Sequence, residues 1–503
     1  MINTFDWFAK WSEYNPEKIA VKIGETGKKY TYRELHFAAN ALAVDLEDTY
    51  GIQRGDRIAI ISDNSIYQVL LFAAALKTGA VLVPLNFRLA SEELQYMLED
   101  SGSKLLFYRD SCVDVKKLKP GCEAVAIDKL SNCFNERPVY KSKKLHEEDA
   151  VFILYTSGTT GFPKGAVYTH KMMFWNSINT AHSLSLTSST TTLNCMPLFH
   201  TGGWNVFLTP ILHHGGTMLL FNKFDPAMIL DCIEEERLDL FMAVPTMLKM
   251  MVDLPQFSAK DLSSLKYLIV GGESMPIPLI DVFHRKGIPV RQGYGLTEAG
   301  PNLTSLHQDE AKRKEGSIGK PNFYVDIRIV DDLGKDVEAG EPGELLIGGP
   351  MVTPGYWNRP EATEGAKLGA WLRTGDVATM DSEGFIYIVD RKKNMYISGG
   401  ENVYPVEVER VLLSHQDVKE AVVIGVPDEK WGESGVAFLV ADRELNSSEI
   451  KSFCQEKLAK FKIPAVVVNC SEIPKNDTGK LNRKLLKDNY LNTTTSHQKV
   501  KVN

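Results

Sequence analysis

The chain has 503 residues, a formal net charge of −7 and a hydrophobic fraction of 44%. This length exceeds what one hydrophobic core supports, so we expect two or three domains, and the composition excludes a disordered chain. The acidic balance argues against nucleic acid as a partner, because binding to a phosphate backbone needs a basic surface. The seven cysteines are scattered without metal-ligand spacing, which is typical of reduced thiols in a cytoplasmic protein.

Helical and extended patterns alternate through the N-terminal part of the chain. Thr31 followed by Glu34 predicts a capped helix start, since the two side chains can bond each other's backbone N–H. In open α/β sheets, ligands bind where strands end, and two later runs, Tyr267–Val270 and 290–292, lead directly into glycine-bearing turns. In chain order we predict helix 32–46, strand 57–62, helix 67–76, strand 81–84, helix 91–100 and strand 104–108.

The pattern changes twice beyond these elements. Short alternating strands separated by Gly, Pro and Asp (326–330, 343–348 and 385–389) predict a small β subdomain, and a compact α+β pattern, including a helix over 448–460, follows a polar junction. We therefore predict an α/β fold with a large N-terminal domain of helix-covered sheets plus a β subdomain, and a small mobile α+β C-terminal domain. The predicted boundaries are 1–389 for the first domain, 390–394 for a hinge and 395–503 for the second.

A loop rich in hydroxyl groups and glycines, YTSGTTGFPKG at 155–165, follows an apolar run. Its small residues let backbone N–H groups approach a polyphosphate, and Lys164 supplies a positive charge. The loop is not a Walker A motif, because Pro163 precedes the lysine and Gly165 follows it. The pattern predicts a nucleotide-phosphate site of a different kind.

This loop resembles the signature of the adenylate-forming superfamily, which includes acyl-CoA synthetases, firefly-luciferase-like enzymes and peptide-synthetase adenylation domains. The resemblance continues over essentially the whole chain and is strongest to bacterial medium- and long-chain fatty acyl-CoA ligases. Its further motifs are PLFHTGG (197–203), VPTML (244–248), GYGLTEAG (293–300), RTGD (373–376), DRKKNMYISGGENVYPVEVE (390–409) and PKNDTGKLNRK (474–484).

The resemblance implies Mg²⁺ as cofactor and ATP as co-substrate. Tyr294 would stack on adenine, Asp376 would accept the ribose hydroxyls with Arg391 beside it, Thr297 would contact the α-phosphate, and Glu298 would hold the metal. The implied ATP-binding residues are Thr156, Ser157, Gly158, Thr159, Thr160, Lys164, Gly272, Glu273, Tyr294, Asp376 and Arg391.

The same resemblance implies the catalytic residues, the hinge and the CoA-binding residues. Lys480 would neutralise the charge that develops during adenylation, and His200 would lie near the acid. Glu298 and Thr297 would complete the catalytic residues. Lys393 would mark the hinge. The implied CoA-binding residues are Ser398, Gly399, Gly400 and Trp431.

We therefore predict an acid–thiol ligase that converts a carboxylic acid, of the medium- or long-chain fatty type, to acyl-AMP and then to acyl-CoA. Two alternatives stay open: an aryl or succinylbenzoyl acid as substrate, and loading of a carrier protein in place of free CoA. The expected partners are the acid, ATP and CoA. No apolar run reaches the ~20 residues of a membrane span, while peripheral membrane contact and a homodimer stay open.

Overall fold

The computed structural model describes residues 5–156, 163–272, 275–399, 401–428, 430–455, 457–475 and 481–499, with side chains up to Asn492. The chain divides into two compact units. The larger unit comprises residues 1–328, 346–373 and 384–386, and the smaller comprises residues 329–345, 374–383 and 387–503. Among the described residues, no helix has the length and apolar character needed to cross a membrane.

The larger unit contains two sheets and most of the helices. Its strands are β1 (Ile19–Ile23), β2 (Lys29–Thr31), β3 (Arg57–Ile61), β4 (Val81–Pro84), β5 (Leu105–Tyr108), β6 (Glu123–Ala126), β7 (Ala150–Thr156), β8 (Lys164–Thr169), β9 (Thr191–Asn194), β10 (Thr217–Leu220), β11 (Leu240–Ala243), β12 (Tyr267–Val270), β13 (Val290–Leu296), β14 (Gly300–Ser305) and β15 (Lys320–Pro321). Its helices are α1 (Trp7–Tyr14), α2 (Tyr32–Val44), α3 (Ile66–Thr78), α4 (Ser91–Ser101), α5 (His170–Leu184), α6 (Thr209–His214), α7 (Pro226–Glu235), α8 (Pro245–Val252) and α9 (Ile277–Arg285).

Both sheets are parallel at their centres, as the βα alternation predicts. The six-stranded sheet has the order β6-β5-β3-β4-β7-β8, and only its last pair, β7 with β8, is antiparallel. The nine-stranded sheet has the order β15-β14-β13-β12-β11-β9-β10-β1-β2, with antiparallel strands at its two edges. The predicted helix-covered sheets are therefore confirmed.

Local sequence signals explain how several of these elements begin and end. Helix α2 starts at Tyr32 because Thr31 and Glu34 form the predicted capping box. Helix α3 ends at Gly79, which has a φ of +78° that suits glycine. This helix is buried along nearly its whole length, and the ring of its Phe72 packs on Phe152 with centroids 5.7 Å apart.

A five-stranded sheet forms the predicted β subdomain. Its strand order is β16-β17-β19-β18, with β20 paired to β19. The alternating runs at 326–330 and 343–348 become strands as predicted, and the third forms one residue later than expected. The elements are β16 (Asp326–Val330), β17 (Gly343–Gly348), α10 (Pro360–Gly365), β18 (Lys367–Leu368), β19 (Trp371–Met380) and β20 (Ile386–Arg391).

The C-terminal region has the predicted α+β character. Its sheet has the order β22-β21-β24-β23, with β25 parallel to β24. The helix predicted over 448–460 is wrong at its end: α12 stops at Gln455, where the Lys457 N–H donates to the Cys454 carbonyl three residues back, and the chain then enters a separate 3₁₀ turn at Lys460–Lys462. The elements are β21 (Tyr396–Ser398), β22 (Glu401–Val403), α11 (Pro405–Leu413), β23 (Val418–Asp428), β24 (Gly432–Ala441), α12 (Ser447–Gln455), β25 (Val466–Asn469) and α13 (Arg483–Lys499).

Candidate active site

The two ends of the predicted phosphate loop lie side by side in the larger unit. Strands β7 and β8 pair antiparallel so that Thr156 is opposite Lys164, and the Thr156 hydroxyl donates to the Lys164 carbonyl at 3.4 Å. The pairing of these strands therefore holds the two described ends of the loop next to each other. Four predicted phosphate-binding residues lie outside the described residues: Ser157, Gly158, Thr159 and Thr160.

A polar network that sequence reasoning missed holds both ends of this loop against helix α4. The Tyr155 hydroxyl donates to Asp100 at 2.7 Å, and Arg359 forms an ion pair with the same carboxylate. Arg359 also donates to the Tyr96 hydroxyl at 3.0 Å, which in turn donates to the Pro163 carbonyl at 3.4 Å. Since the Asp100 side chain is buried, its pairing with a cation fixes the base of the loop.

The predicted metal-binding carboxylate, Glu298, has a partner that the sequence did not indicate. Glu298 is half-buried in the turn between β13 and β14, and its Oε1 accepts a hydrogen bond of 2.8 Å from the Tyr356 hydroxyl. The Lys164 ammonium lies 5.6 Å from the centre of the Tyr356 ring. Thr297, the predicted α-phosphate contact, is half-buried beside Glu298. Tyr356 therefore contacts both Lys164 and Glu298.

This arrangement fits a magnesium ion bound together with a nucleotide. Mg²⁺ is usually held by one or two carboxylates plus phosphate oxygens, and it keeps several waters. Glu298 supplies one carboxylate whose orientation is fixed by Tyr356 at Oε1. Lys164 lies in the same unit and would provide a positive charge for phosphate oxygens. When bound, the ion would neutralise phosphate charge.

The residues predicted to bind adenine lie at the carboxyl ends of two neighbouring strands. Strands β12 and β13 are parallel, and Gly271 and Gly272 follow the first while Tyr294 lies toward the end of the second. Gly272 has a φ of +84°, which favours glycine, and a Cβ on Gly271 would lie 3.6 Å from the Gly293 carbonyl oxygen. This edge matches the position of ligand sites in open α/β sheets. Glu273 lies outside the described residues.

His200 lies in a turn after strand β9, within a largely buried apolar segment. Its ring is half-buried and contacts the Phe199 ring, with centroids 4.6 Å apart. The neighbouring stretch that begins at Trp204 is packed into the main core, where the indole contacts Phe72 and Phe152. The stretch at 241–248 likewise contributes to a packed core.

The smaller unit brings the predicted ribose-binding pair together. Asp376 is buried in β19, and its Oδ1 lies 2.5 Å from Nε of Arg391. The Asp376 N–H donates to the Thr374 hydroxyl at 3.0 Å, which fixes the backbone at this point. Lys393 is exposed on the same segment, and its pKa is lowered by partial desolvation and by the positive charge of Arg391.

Asp390 organises the segment predicted to be the hinge, a role that sequence reasoning missed. The buried carboxylate accepts hydrogen bonds from the Arg391 N–H at 2.6 Å, the Asn394 side chain at 3.0 Å and the Val406 N–H at 2.9 Å. These bonds tie the segment 390–394 to the start of helix α11. The only sequence signal was an aspartate at the end of a strand, which is typical of a turn.

The predicted CoA-binding residues converge in the smaller unit. Gly399 joins β21 and β22 with a φ of +63°, and its N–H donates to the Trp431 carbonyl at 2.8 Å. Ser398 is buried and pairs with Gly432, while the Trp431 side chain is 41% exposed. A Cβ on Gly399 would lie 2.9 Å from Cε3 of the indole. Gly400, the other predicted member, lies outside the described residues.

Lys480, the predicted catalytic lysine, also lies outside the described residues, but the chain on either side of its segment is fixed. Lys475 forms a β-bridge with Leu481. Arg483 forms a two-pronged ion pair with the buried carboxylate of Glu409, and it donates to the Val423 carbonyl at 2.9 Å. The two ends of the lysine segment are therefore held together on the smaller unit.

Family models identify the class to which this fold and these residues belong. Residues 8–357 match the AMP-binding enzyme family, and residues 407–480 match the AMP-binding enzyme C-terminal domain. The first match alone covers more than half of the chain. The chain therefore belongs to the AMP-binding enzyme family.

Individual relatives narrow this class to acyl- and aryl-CoA synthetases. A feruloyl-CoA synthase of Amycolatopsis sp is 38% identical over 480 residues, which cover 94% of this chain and 96% of that protein. A long-chain-fatty-acid–CoA ligase of Mycobacterium tuberculosis is 38% identical over 479 residues, covering 92% and 94%. O-succinylbenzoate coenzyme A synthetase from Bacillus subtilis, in complex with ATP and a magnesium ion, has a TM-score of 0.88 and 33% identity over 96% of this chain and 99% of that chain. The protein is an AMP-forming acid–thiol ligase of this family.

Proposed function

We propose that this ligase activates a medium- or long-chain fatty acid with Mg²⁺ and ATP, releasing pyrophosphate, and then transfers the acyl group from AMP to CoA. The observation that carries the proposal is the grouping of Lys164, Tyr356 and Glu298. It provides a cation for phosphate oxygens and a carboxylate for a metal within one unit. The 38% identity to a long-chain-fatty-acid–CoA ligase supports the substrate class.

In the first half-reaction, a carboxylate oxygen attacks the α-phosphorus and pyrophosphate leaves. Two anions must approach each other, so the chain has to supply positive charge where phosphate charge develops. We assign this task to Lys164 and Lys480, with Thr297 contacting the α-phosphate and Glu298 holding the metal. The phosphate-loop residues Ser157, Gly158, Thr159 and Thr160 would contribute backbone and hydroxyl donors.

Nucleotide recognition would use the remaining predicted residues. Tyr294 would stack on adenine, and the turn that contains Gly272 and Glu273 would form the opposite wall of the adenine site. Asp376 would accept the ribose hydroxyls, and its ion pair with Arg391 supports this role because the guanidinium holds the buried carboxylate in place. His200 would lie near the substrate carboxylate.

In the second half-reaction, the CoA thiol attacks the acyl carbon and AMP leaves. We propose that Ser398, Gly399, Gly400 and Trp431 contact the pantetheine chain, which fits the exposed indole beside a glycine turn. Lys393, in the segment 390–394, would serve as the hinge between a domain at 1–389 and a mobile domain at 395–503.

An aryl acid is a second candidate substrate, because the feruloyl-CoA synthase is equally 38% identical over a similar length. We further propose a cytoplasmic location, in keeping with seven cysteines that are all unpaired thiols. We also propose peripheral membrane contact and a homodimer. Loading of a carrier protein in place of free CoA is the alternative for the acceptor.

Mass spectrometry of products tests the proposal. Purified protein is incubated with Mg²⁺, ATP, CoA and a series of acids that includes short to long fatty acids, ferulate and succinylbenzoate. Acyl-CoA and AMP from long fatty acids would support the proposed substrate. Thioester from ferulate or succinylbenzoate alone would replace it with the aryl class, and adenylate without thioester would indicate a carrier-protein acceptor.

A further inference from the structure

The segment 353–357, TPGYW, connects the phosphate-loop strand to the turn that carries Glu298. The Trp357 N–H donates to the Gly165 carbonyl at 2.7 Å, at the end of the loop. The Thr353 N–H donates to the Glu298 carbonyl at 2.8 Å. These backbone bonds place Tyr356 between the two motifs, although it is 58 residues away from Glu298 in sequence.

The Tyr356 side chain engages both motifs with different parts of the phenol. Its hydroxyl donates to Oε1 of Glu298 at 2.8 Å, and its ring faces the Lys164 ammonium at 5.6 Å. The phenol therefore acts on the carboxylate as a hydrogen-bond donor and on the ammonium through its ring face.

We propose that Tyr356 is a positioning residue for the metal–nucleotide site, an inference that rests on the proposed function. With Oε1 held by the hydroxyl, the carboxylate is oriented so that Oε2 is presented to Mg²⁺. The ring face holds the ammonium of Lys164 by a cation–π contact, so one side chain sets the spacing of the two charges.

The expected loss of metal affinity can be taken from other groups that orient a metal ligand. Loss of such a partner commonly reduces metal affinity by roughly 10- to 100-fold. Tyr356→Phe removes the hydroxyl and keeps the ring over Lys164. We therefore expect the Mg²⁺ concentration for half-maximal adenylation to rise roughly tenfold, with activity restored at high Mg²⁺.

The control is Tyr267→Phe, which removes a hydroxyl of the same kind at a distant place. Tyr267 is buried in β12, and its hydroxyl donates to the Leu184 carbonyl at 2.6 Å. Any general effect of losing a buried phenol hydroxyl appears in both variants. A shift in metal requirement is expected only in Tyr356→Phe.

Two measurements on the full chain test the proposal. The first is binding of Mn²⁺ in the presence of ATP, followed by electron paramagnetic resonance, which requires no turnover. The second is acid-dependent ATP–pyrophosphate exchange as a function of Mg²⁺. Weaker Mn²⁺ binding and a raised Mg²⁺ requirement in Tyr356→Phe alone would support the positioning role.

Metal binding equal to that of wild type, or an equal loss in Tyr267→Phe, would overturn the positioning role. If wild-type protein binds Mn²⁺ and ATP but shows no exchange with any acid, the proposed function fails instead. In that case the Mn²⁺ affinities of the two variants still decide the role of Tyr356.

Discussion

Substitution of Gly399 by alanine tests the assignment of the CoA-binding residues. Gly399 has a φ of +63°, where an L-residue costs about 1–2 kcal/mol. The new methyl group would lie 2.9 Å from Cε3 of Trp431, so the indole has to move. Because this side chain is 41% exposed, it can shift toward solvent without disrupting the core.

We expect Gly399→Ala to weaken CoA binding while adenylation continues. A roughly tenfold rise in KM for CoA corresponds to about 1.4 kcal/mol, the size of one displaced aromatic contact. Adenylation should change by less than about twofold, because the substitution contacts no residue assigned to ATP. The assay measures ATP–pyrophosphate exchange and, separately, thioester formation from supplied acyl-adenylate at a series of CoA concentrations.

Gly121→Ala is a closely matched control. Gly121 has the same φ of +63°, and a Cβ there would meet no atom within 4 Å among the described residues. Both variants carry the backbone strain, and only Gly399→Ala moves the indole. A KM for CoA that is the same in the two variants would refute the placement of CoA beside Gly399 and Trp431.

A substitution at Asp376 tests ATP binding, and a change of pH tests the contribution of His170 to stability. Asp376→Asn should raise KM for ATP roughly tenfold, because the ribose acceptor loses its charge and its ion pair with Arg391; an unchanged KM for ATP would contradict the ribose assignment. Burial lowers the pKa of His170 from 6.5 to about 4. The unfolded chain therefore takes up this proton first, and lowering the pH from 7 to 5 should reduce the free energy of unfolding through His170 by about 2 kcal/mol. Urea unfolding at both pH values should show that His170→Gln lessens this loss, whereas an equal loss in both proteins would argue against the buried neutral ring.

The sequence predicted the fold well wherever a local signal was strong. The capping box at Thr31 and Glu34 defined the start of α2, and the buried apolar runs appeared as parallel strands. Helix α12 was predicted to extend past Gln455 because helical periodicity alone does not show where tertiary contacts turn the chain. Its end depends on the fold of the whole unit.

Site residues could be predicted from the sequence where they lie within motifs of the family. The structure brings Asp376 next to Arg391 and Gly399 next to Trp431, residues that the family resemblance names together, and their roles in binding ribose and CoA stay predictions. Tyr356 was missed, since its hydrogen bond spans 58 residues and no motif links the two positions. The buried Asp100, which holds the phosphate loop, was missed for the same reason.

The proposed mechanism depends on an acyl-adenylate intermediate, and transfer of an oxygen isotope from the acid to AMP detects it. The substrate acid is labelled with ¹⁸O in both carboxylate oxygens, and the nucleotide product is analysed by mass spectrometry after complete thioester formation. Attack on the α-phosphorus predicts one ¹⁸O atom in AMP and none in pyrophosphate. ¹⁸O in orthophosphate together with ADP, or unlabelled AMP, would contradict the proposed mechanism.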